Sequence, residues 1–218
     1  MLQRPSTCAG CPLNTVSTPG FCPDKIPKDA EYLFFAEAPG KNEIAQAEPM
    51  VGSAGFVLKN WIMPAVLPIK IAYEKNKVGF ANVLRCLPKE VQGRPYPKGK
   101  DKEEAERICR QYDNIPSSVH TVILCGEHAQ RLFFKTELEA EDASDKRIGH
   151  ELKGVTGRIG RVYERDGRRY VFSPHPAYIL RQPALITHGQ RALEISVGND
   201  KLVEPSYLPW AMALEQLS

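Results

Sequence analysis

Tyr32-Leu-Phe-Phe-Ala-Glu-Ala-Pro-Gly-Lys41 is the stretch that decides the fold, because an apolar run ends there in a loop that carries one carboxylate. The run from Tyr32 to Phe35 is short and aromatic, which favours a buried strand over a helix. A carboxylate directly after a central strand lies at the carboxyl edge of the sheet, where open α/β folds bind ligands. We therefore predict that Glu37 marks the functional site. The alternative is a solvated acid in an ordinary turn.

A second loop, Pro49-Met-Val-Gly-Ser-Ala-Gly55, carries small residues that let the backbone approach a ligand closely. Ser53 is a candidate N-cap for a helix that would run through Val57 and Ile62.

The size and charge of the chain fit one domain. Its 218 residues, with 42% hydrophobic content, are enough for one buried core and too few for two large ones. The formal charge of +3 comes from 29 basic and 26 acidic residues, so any nucleic-acid contact must use local patches. The first residues contain no apolar signal region, and no stretch reaches membrane-spanning length. We expect a soluble, cytoplasmic monomer that does not contact membranes.

Six cysteines in an intracellular protein suggest a metal centre before disulfides. Cys8 and Cys11 form a C-x-x-C pair in a Pro/Gly-rich segment that needs an anchor. Such a pair can chelate one metal centre, and a tetrahedral site or a cubane cluster needs two more ligands. The candidates are Cys86 and Cys109, with Cys22 and Cys125 as competitors. A redox dithiol is the competing interpretation, although that motif belongs in a βαβ context.

Val78 to Cys86 predicts a second buried strand, with Asn82 near its exit. An amide offers one donor and one acceptor, which match the carbonyl and ring N–H of a pyrimidine. An amide satisfied by loop backbone is the ordinary alternative. The Pro-, Gly- and Lys-rich residues 87–100 predict a loop, after which Asp101 to Glu104 has the form of a capping box that would start a helix.

Val119 to Cys125 predicts a third strand, in which Cys125 would be a small core residue, and Gly126 to Phe134 predicts its following helix. Residues 135–157 are polar, charged and without period, so we predict a flexible loop. His150 lies in that loop, and no second feature points to a function for it.

Asp166-Gly167 is a hairpin signal, and the hairpin leads to Ser173-Pro-His-Pro176. Prolines on both sides of His175 hold the backbone extended, as the positioning of a catalytic imidazole requires; a turn histidine is the alternative. Ala177 to Pro183 predicts an exposed loop, followed by a helix from Ala184 to Ile195. In that loop an apolar residue followed by arginine, Leu180-Arg181, has the chemistry to wedge into a duplex and clamp a phosphate, although such residues are more often partly buried core.

Glu37, Asn82 and His175 each follow a predicted strand, and strand ends on one edge of an α/β sheet converge on one crevice. The sequence contains no G-x-G-x-x-G, no P-loop and no H-x-E with P-C-x-x-C, which argues against dinucleotide, nucleoside-triphosphate and zinc-deaminase sites.

Five motifs in order resemble those of the family-four uracil-DNA glycosylases, the iron–sulfur branch of the uracil-DNA glycosylase superfamily, over most of the chain. They are C-x-x-C at Cys8 and Cys11, G-E-A-P-G at Ala36 to Gly40, P-F-V-G-x-A-G at Pro49 to Gly55, N-V-x-[KR]-C at Asn82 to Cys86 with a later Cys109, and H-P-[AS]-Y-[LI]-L-R at His175 to Arg181. Ala36 replaces the first glycine of the family loop, Met50 replaces a base-stacking phenylalanine, and the insertion between Cys86 and Cys109 is longer than usual.

The resemblance implies one domain over residues 1–218, a three-layer α/β/α fold around a mostly parallel four-stranded sheet, and a cluster-binding segment at residues 1–30. It implies that uracil, or a related modified pyrimidine, is flipped out of single- or double-stranded DNA and hydrolysed from its sugar to leave an abasic site. The implied residues are Glu37 and His175 for catalysis; Ala36, Gly40, Met50 and Asn82 for the base; Ser53, Leu180 and Arg181 for DNA; and Cys8, Cys11, Cys86 and Cys109 for a [4Fe–4S] cluster.

Two alternatives remain open at this point. The chain could be a superfamily member with altered base specificity, or one that binds DNA without excising uracil. From a different class, it could be a scaffold stabilised by zinc or a cluster and without catalysis.

Overall fold

The computed structural model describes residues 4–14, 20–87, 99–110, 114–144 and 158–199. The strands are β1 (Tyr32–Ala36), β2 (Val78–Asn82), β3 (Thr121–Cys125), β4 (Val162–Arg165) and β5 (Arg168–Ser173). The α-helices are α1 (Lys41–Gln46), α2 (Ser53–Val57), α3 (Leu67–Glu74), α4 (Gly99–Arg110), α5 (Glu127–Ser144), α6 (Pro176–Arg181) and α7 (Ile186–Ser196). Short 3₁₀ turns cover Ser6–Cys8, Met63–Ala65 and Pro183–Leu185, and a π-helical turn covers Leu58–Ile62.

The strands form one sheet in the order β2-β1-β3-β5-β4. The first four are parallel to one another, and β4 pairs antiparallel with β5. The prediction of an α/β fold around a mostly parallel sheet is confirmed, but the count of four strands is wrong by one. The extra strand is the outer arm of the predicted hairpin. Its turn residues, Asp166 and Gly167, have φ values of 52° and 71°, as a two-residue hairpin turn that follows the twist of the strands requires.

Both faces of the sheet are covered, which explains why the central strands read as continuous apolar runs. All residues of β1, β2 and β3 are buried. In β1, Leu33 and Phe35 pack into a core with α4 and α5, whereas Phe34 packs into a second core with α2, α3, α6 and α7. This alternation gives the three layers, and the parallel direction of β2, β1, β3 and β5 brings their carboxyl ends to one edge of the sheet.

The segment before β1 covers the outer edge of β2. Lys25 and Phe80 exchange backbone hydrogen bonds of 2.9 and 2.8 Å, and Phe21 bridges to Cys86. An uncovered edge strand is open to pairing with another chain, and this segment closes it.

A buried ion pair joins the same segment to the end of β2. The side chain of Arg85 is 1% exposed, and its guanidinium donates two hydrogen bonds to the carboxylate of Asp24. Nη2 lies 2.6 Å and Nε lies 3.1 Å from Oδ2. Arg85 also donates from Nη1 to the carbonyl of Cys109 at 2.7 Å, and Asp24 accepts from the backbone N–H of Asn82 at 3.3 Å. One charge pair thus links the amino-terminal segment, α4 and the end of β2.

The loop predicted over residues 135–157 is wrong in its first part, because α5 continues to Ser144. Phe134 has non-helical angles (φ −132°, ψ 37°) that kink the helix, and Leu138 anchors the next turn, completely buried. The polar composition of this segment gave no helical pattern in the sequence, because one buried apolar residue per turn is enough to hold the helix. Residues 145–157, with His150, lie outside the described part of the chain.

Three further local predictions need correction. Residues 177–181, expected in a loop, form α6, because Pro176 occupies the first helical position, where its fixed φ suits a helix. Helix α4 is described from Gly99, so Asp101 lies in its first turn and does not cap it. Gly52, not Ser53, is the N-cap of α2. The predicted loop from 87 to 100 lies mostly outside the described residues, and its last two residues are helical. None of the described helices is both long and apolar enough to span a bilayer.

The Asp24–Arg85 pair gives a test of the fold. Asp24→Asn should lower the free energy of unfolding by about 3–5 kcal/mol, because it leaves a buried guanidinium without its counter-charge. Lys25→Gln, which breaks the exposed Lys25–Glu48 pair on the next residue, should cost less than about 1 kcal/mol. Urea unfolding measures both, and equal small losses would contradict the importance given to the buried pair.

Candidate active site

Three strand ends meet at one edge of the sheet, as the sequence predicted. Glu37 follows β1, Asn82 ends β2, and His175 follows β5. A cavity of about 380 Å³ opens there. Its wall is formed by Ala38, Pro39, Gly40, Lys41, Asn42, Glu43, Met50, Gly52, Ser53, Ala54, Asn82, His175 and Ala177.

The predicted site residues divide into two groups around this cavity. Gly40, Met50, Ser53, Asn82 and His175 line it. The remaining ones, Ala36, Glu37, Leu180 and Arg181, do not. Ala36 is buried at the end of β1, in register with Asn82, so the side chain lies beneath the cavity and not in its wall.

His175 is the N-cap of α6 and is held in one tautomer. Its Nδ1 accepts a hydrogen bond of 3.1 Å from the backbone N–H of Ala177, so the proton of the neutral ring is on Nε2. Nε2 is shielded from solvent and has no hydrogen-bond partner among the described residues. Burial, with smaller contributions from the charges of Arg181 and His128, lowers the pKa of His175 to about 4. At neutral pH the ring therefore carries an unused N–H donor, and His175 lines the cavity.

The carboxylate of Glu37 faces α4 and α5. Burial raises the pKa of Glu37, while the positive charges of Lys102 and Arg181 oppose that shift. Oε1 lies 3.6 Å from Nε2 of His128, the second residue of α5. This contact is no ion pair at neutral pH, because burial lowers the pKa of His128 to about 4. Glu37 is thus a partly desolvated acid beside two cations, next to the cavity.

Glu43 ties the two loops of the site together. Its Oε2 accepts from the N–H of Gly40 at 3.1 Å, and its Oε1 accepts from the N–H groups of Val51 and Gly52 at 3.0 and 2.6 Å. A Cβ atom added to Gly40 or Gly52 would come within 2.7 or 2.9 Å of this carboxylate. The glycines are therefore needed because the backbone of each loop approaches one buried acid.

Met50 lines the cavity from a constrained backbone. Its φ of 58° is in the left-handed region, which non-glycine residues seldom adopt. Gly55 makes this turn possible, since a Cβ there would lie 2.0 Å from the carbonyl oxygen of Met50. The loop places a flexible thioether against whatever occupies the cavity.

Asn82 presents its amide to the cavity from a fixed backbone. The residue is 3% exposed, its backbone N–H is held by Asp24, and no hydrogen bond within the described residues engages its side chain. The carboxamide is therefore available to a ligand.

The predicted cysteine ligands lie near one another under the amino-terminal segment. Cys8, Cys11, Cys86 and Cys109 are all buried free thiols. Burial raises the pKa of Cys11, with a smaller contribution from Cys8. Burial also raises the pKa of Cys86, with contributions from Cys8 and Cys11. The pKa of Cys109 is raised to about 11 by burial, with contributions from Cys11 and Cys86. Arg4 donates from Nε to the sulfur of Cys86 at 3.3 Å. The described residues nevertheless contain no group of three or more ligands arranged around a single metal ion.

Comparison with known proteins decides the family. The family model described as the uracil DNA glycosylase superfamily matches residues 23–195. This chain belongs to the uracil-DNA glycosylase superfamily. It is 27% identical over 189 residues to a protein of Sulfurisphaera tokodaii named type-4 uracil-DNA glycosylase, which covers 82% of this chain and 74% of the relative. A protein of the same name from Archaeoglobus fulgidus is 28% identical, over 82% of this chain and 81% of the relative. Another, from Pyrobaculum aerophilum, is 24% identical, over 91% of this chain and 93% of the relative.

Sequence reasoning missed two residues of this glycosylase site. Glu43 carries a recognisable signal, because Gly40-x-x-Glu43 has the spacing of a capping box, with the glutamate three residues after the N-cap. His128 follows β3, whose end shares the edge of the sheet with the other site residues. Only the fold shows that it faces Glu37.

The first test of this site concerns Glu43. Glu43→Gln should lower the rate of the glycosylase at least tenfold, since an amide group cannot accept from three N–H donors and its NH₂ would face at least one of them. Single-turnover kinetics measure the rate. Glu48→Gln, which changes an exposed acid of the same loop, is the control. Equal rates for both variants would show that the loops hold their geometry without the carboxylate.

The second test uses the buried imidazole of His175. Its pKa in the folded protein is lowered from about 6.5 to about 4, so its contribution to stability is present above pH 6.5 and is lost as the pH falls towards 4. His175→Asn keeps a capping acceptor but does not titrate. Between pH 7 and pH 5 this variant should lose about 2 kcal/mol less unfolding free energy than the wild type. The exposed His188→Gln is the control, and parallel losses in all three proteins would contradict a buried neutral His175.

Proposed function

We propose that this chain excises uracil from DNA by hydrolysing the N-glycosidic bond. The observation that carries the proposal is the unused Nε2–H donor of His175, a residue that lines the cavity together with Asn82, whose amide makes no hydrogen bond within the described residues. A donor held in one tautomer and buried without a partner is costly, and the cost is recovered when a substrate oxygen binds. The names of the relatives, type-4 uracil-DNA glycosylases, point to the same reaction.

The cavity would hold the extruded base. Its volume of about 380 Å³ is within the range of about 300–1,000 Å³ found for small-ligand pockets. Asn82 would pair with the carbonyl and ring N–H of a pyrimidine, the backbone of Gly40 would lie against its edge, and Met50 would cover its face. Ala36 would act from beneath, by fixing the end of β1 beside Asn82.

In the reaction the bond between C1′ of the sugar and N1 of the base breaks, and its electron pair leaves with the base. His175 would donate Nε2–H to the base oxygen on which negative charge grows, and the neutral ring keeps this proton at pH 7. Glu37 would stabilise the oxocarbenium-like sugar and direct a water to C1′. The water adds its oxygen to C1′, and its proton passes by way of the carboxylate to solvent or to the departing base.

The DNA strand would run across the mouth of the cavity. Ser53 lines the cavity, and α6, which lines it through Ala177, carries the exposed Leu180 and Arg181. Arg181 would contact a phosphate, and Leu180 would occupy the space that the extruded base leaves. We propose that residues 1–218 act as a single domain and as a monomer.

We further propose that Cys8, Cys11, Cys86 and Cys109 hold a [4Fe–4S] cluster. The donor set fits, because the four buried thiols lie close together: Cys8 and Cys11 contribute to the raised pKa of Cys86, and Cys11 and Cys86 contribute to that of Cys109. A cubane separates its thiolates more widely than a single ion does, so thiols that fail to surround one ion are compatible with it. The cluster would crosslink the segment at residues 1–30, the end of β2 and α4. Cys22 and Cys125, 0% and 1% exposed, would remain core residues.

The catalytic assignment is tested with two variants. Glu37→Gln and His175→Ala should each lower single-turnover excision of uracil by roughly 10²-fold or more, the scale for removal of a preorganised charge-stabilising group. Affinity for DNA containing an abasic-site analogue should change by less than about threefold, because neither group contacts phosphate. The exposed His188→Ala serves as the control for the loss of an imidazole.

The substrate panel separates the competing functions. Uracil and 5-substituted uracils are compared in single-stranded and duplex DNA, with alkali cleavage at abasic sites as the readout. Cleavage of only a 5-substituted base would assign altered specificity, which the flexible Met50 would explain. DNA binding without cleavage of any base would refute the proposed reaction.

The cluster is tested by chemical analysis of anaerobically purified protein. About four iron and four sulfide per chain are expected. Cys86→Ser and Cys109→Ser should lose iron and lower the midpoint of thermal unfolding, whereas Cys22→Ser and Cys125→Ala should keep the metal. Stoichiometric zinc without sulfide in the wild type would refute the cluster.

A further inference from the structure

An exposed aromatic ring lies on α2, the helix whose first residues, Ser53 and Ala54, line the cavity, and it has no part in the functions assigned above. Phe56, the fourth residue of α2, is 54% exposed, in contrast to the neighbouring Gly55 and Val57, which are buried. A phenyl ring left this open to water is unusual for a large apolar residue, and its position relative to the cavity suggests a use.

Two helices that line the cavity carry exposed apolar side chains at equivalent positions. Ser53 on α2 and Ala177 on α6 both line the cavity, and the two helices pack against each other. Three residues farther along each helix come Phe56 and Leu180, 54% and 39% exposed. A spacing of three keeps each on the face of its helix that meets the cavity, about 4.5 Å farther along the axis.

The ring of Phe56 is held in place by the turn that follows. Residues Leu58–Ile62 form a π-helical turn, in which Met63 donates to the carbonyl of Leu58. This wider turn brings Trp61 under Phe56, five residues earlier, and the two rings meet edge to face with centroids 5.8 Å apart. The backbone of Trp61 is itself held, because Gln190 donates from Nε2 to the carbonyl of Trp61 at 3.0 Å. π-Helical turns are rare in proteins, but those that occur are often at functional sites. This turn holds an exposed ring in one position.

The charges around the mouth favour a polyanionic occupant. Lys41, the first residue of α1, lines the cavity, and Arg181 ends α6, the helix that lines the cavity through Ala177; both cations are exposed. Exposed cations together with an exposed aromatic ring are the combination with which proteins bind a nucleic-acid strand, since phosphates meet the cations and bases stack on the ring.

We propose that Phe56 is a stacking platform for the base adjacent to the extruded one. Leu180 then fills the gap in the strand while Phe56 supports the neighbouring base, and the edge-to-face contact with Trp61 fixes the plane of the platform. This inference rests on the proposed DNA function and adds a residue that the five sequence motifs do not include.

The test measures the affinity for single-stranded DNA that carries a tetrahydrofuran abasic-site analogue, so that binding does not depend on base excision. Phe56→Ala should weaken binding by about tenfold, within the range for the loss of one stacked base. The dependence of log Kd on log salt concentration should keep its slope, because no phosphate contact is lost, and Phe56→Trp should restore the affinity. Tyr73→Ala is the matched control, since Tyr73 is an exposed aromatic on α3 near the opposite, amino-terminal edge of the sheet.

A second arm locates the contact. A 5-iododeoxycytidine placed next to the abasic-site analogue should crosslink to Phe56 on irradiation, and peptide mass spectrometry identifies the residue. Loss of affinity below twofold in Phe56→Ala, or a crosslink elsewhere, would overturn the proposal. The proposal would also be overturned if Phe56→Ala lost affinity for DNA, lowered the midpoint of unfolding and was not rescued by Phe56→Trp. A change in sedimentation between wild type and Phe56→Ala, showing that Phe56 joins two copies of the chain, would overturn it as well. A wild type that stacks DNA on Phe56 but excises no uracil would contradict the proposed reaction and leave the platform standing.

Discussion

One hydrogen bond, from the backbone N–H of Ala177 to Nδ1 of His175, is the constraint on which the site depends. It determines which ring nitrogen carries the proton and therefore whether the imidazole can donate into the cavity. Several features serve it: Pro176 starts α6 directly after the histidine, and Gly126, with φ of 87°, leaves room for the ring, since a Cβ there would lie 3.0 Å from Cβ of His175. Burial then keeps the ring neutral. A donor made in this way is ready before the substrate arrives, which is how electrostatic preorganisation lowers a barrier.

The rest of the site depends on acidic side chains whose carboxylates accept hydrogen bonds from backbone N–H groups. Glu43 gathers the N–H groups of both cavity loops, and Asp24 holds the N–H of Asn82 while it neutralises Arg85. Through Arg85 the same charge pair reaches the carbonyl of Cys109. The segment that carries the cysteine pair and the end of β2 with Asn82 are therefore parts of one polar network. This connection would give a structural role to the proposed cluster, which the proposed hydrolysis does not itself require.

The fold was predictable where local signals and the sheet agree. The short aromatic run of β1 and the Asp166-Gly167 turn each determine their structure with few residues, so the parallel sheet and its hairpin followed from the sequence. The prediction was wrong where structure depends on distant partners. Residues 135–144 look like a loop in isolation, yet Leu138 finds a core to enter and the helix continues. In the same way, the strand ends predicted the neighbourhood of Glu37, Asn82 and His175, but the orientation of Glu37 towards His128, and the bridging by Glu43, depend on loop paths that no single motif encodes.

The central claim is that His175 is a neutral, Nε2-protonated donor before DNA binds. The most direct measurement is ¹⁵N NMR of the histidine ring nitrogens in the free protein at pH 7, with His175→Asn used to assign the signals. The account predicts a pyrrole-like, protonated Nε2 and a pyridine-like, unprotonated Nδ1, with no titration of either signal down to about pH 5. Two protonated nitrogens, a proton on Nδ1, or a titration near pH 6.5 would contradict it.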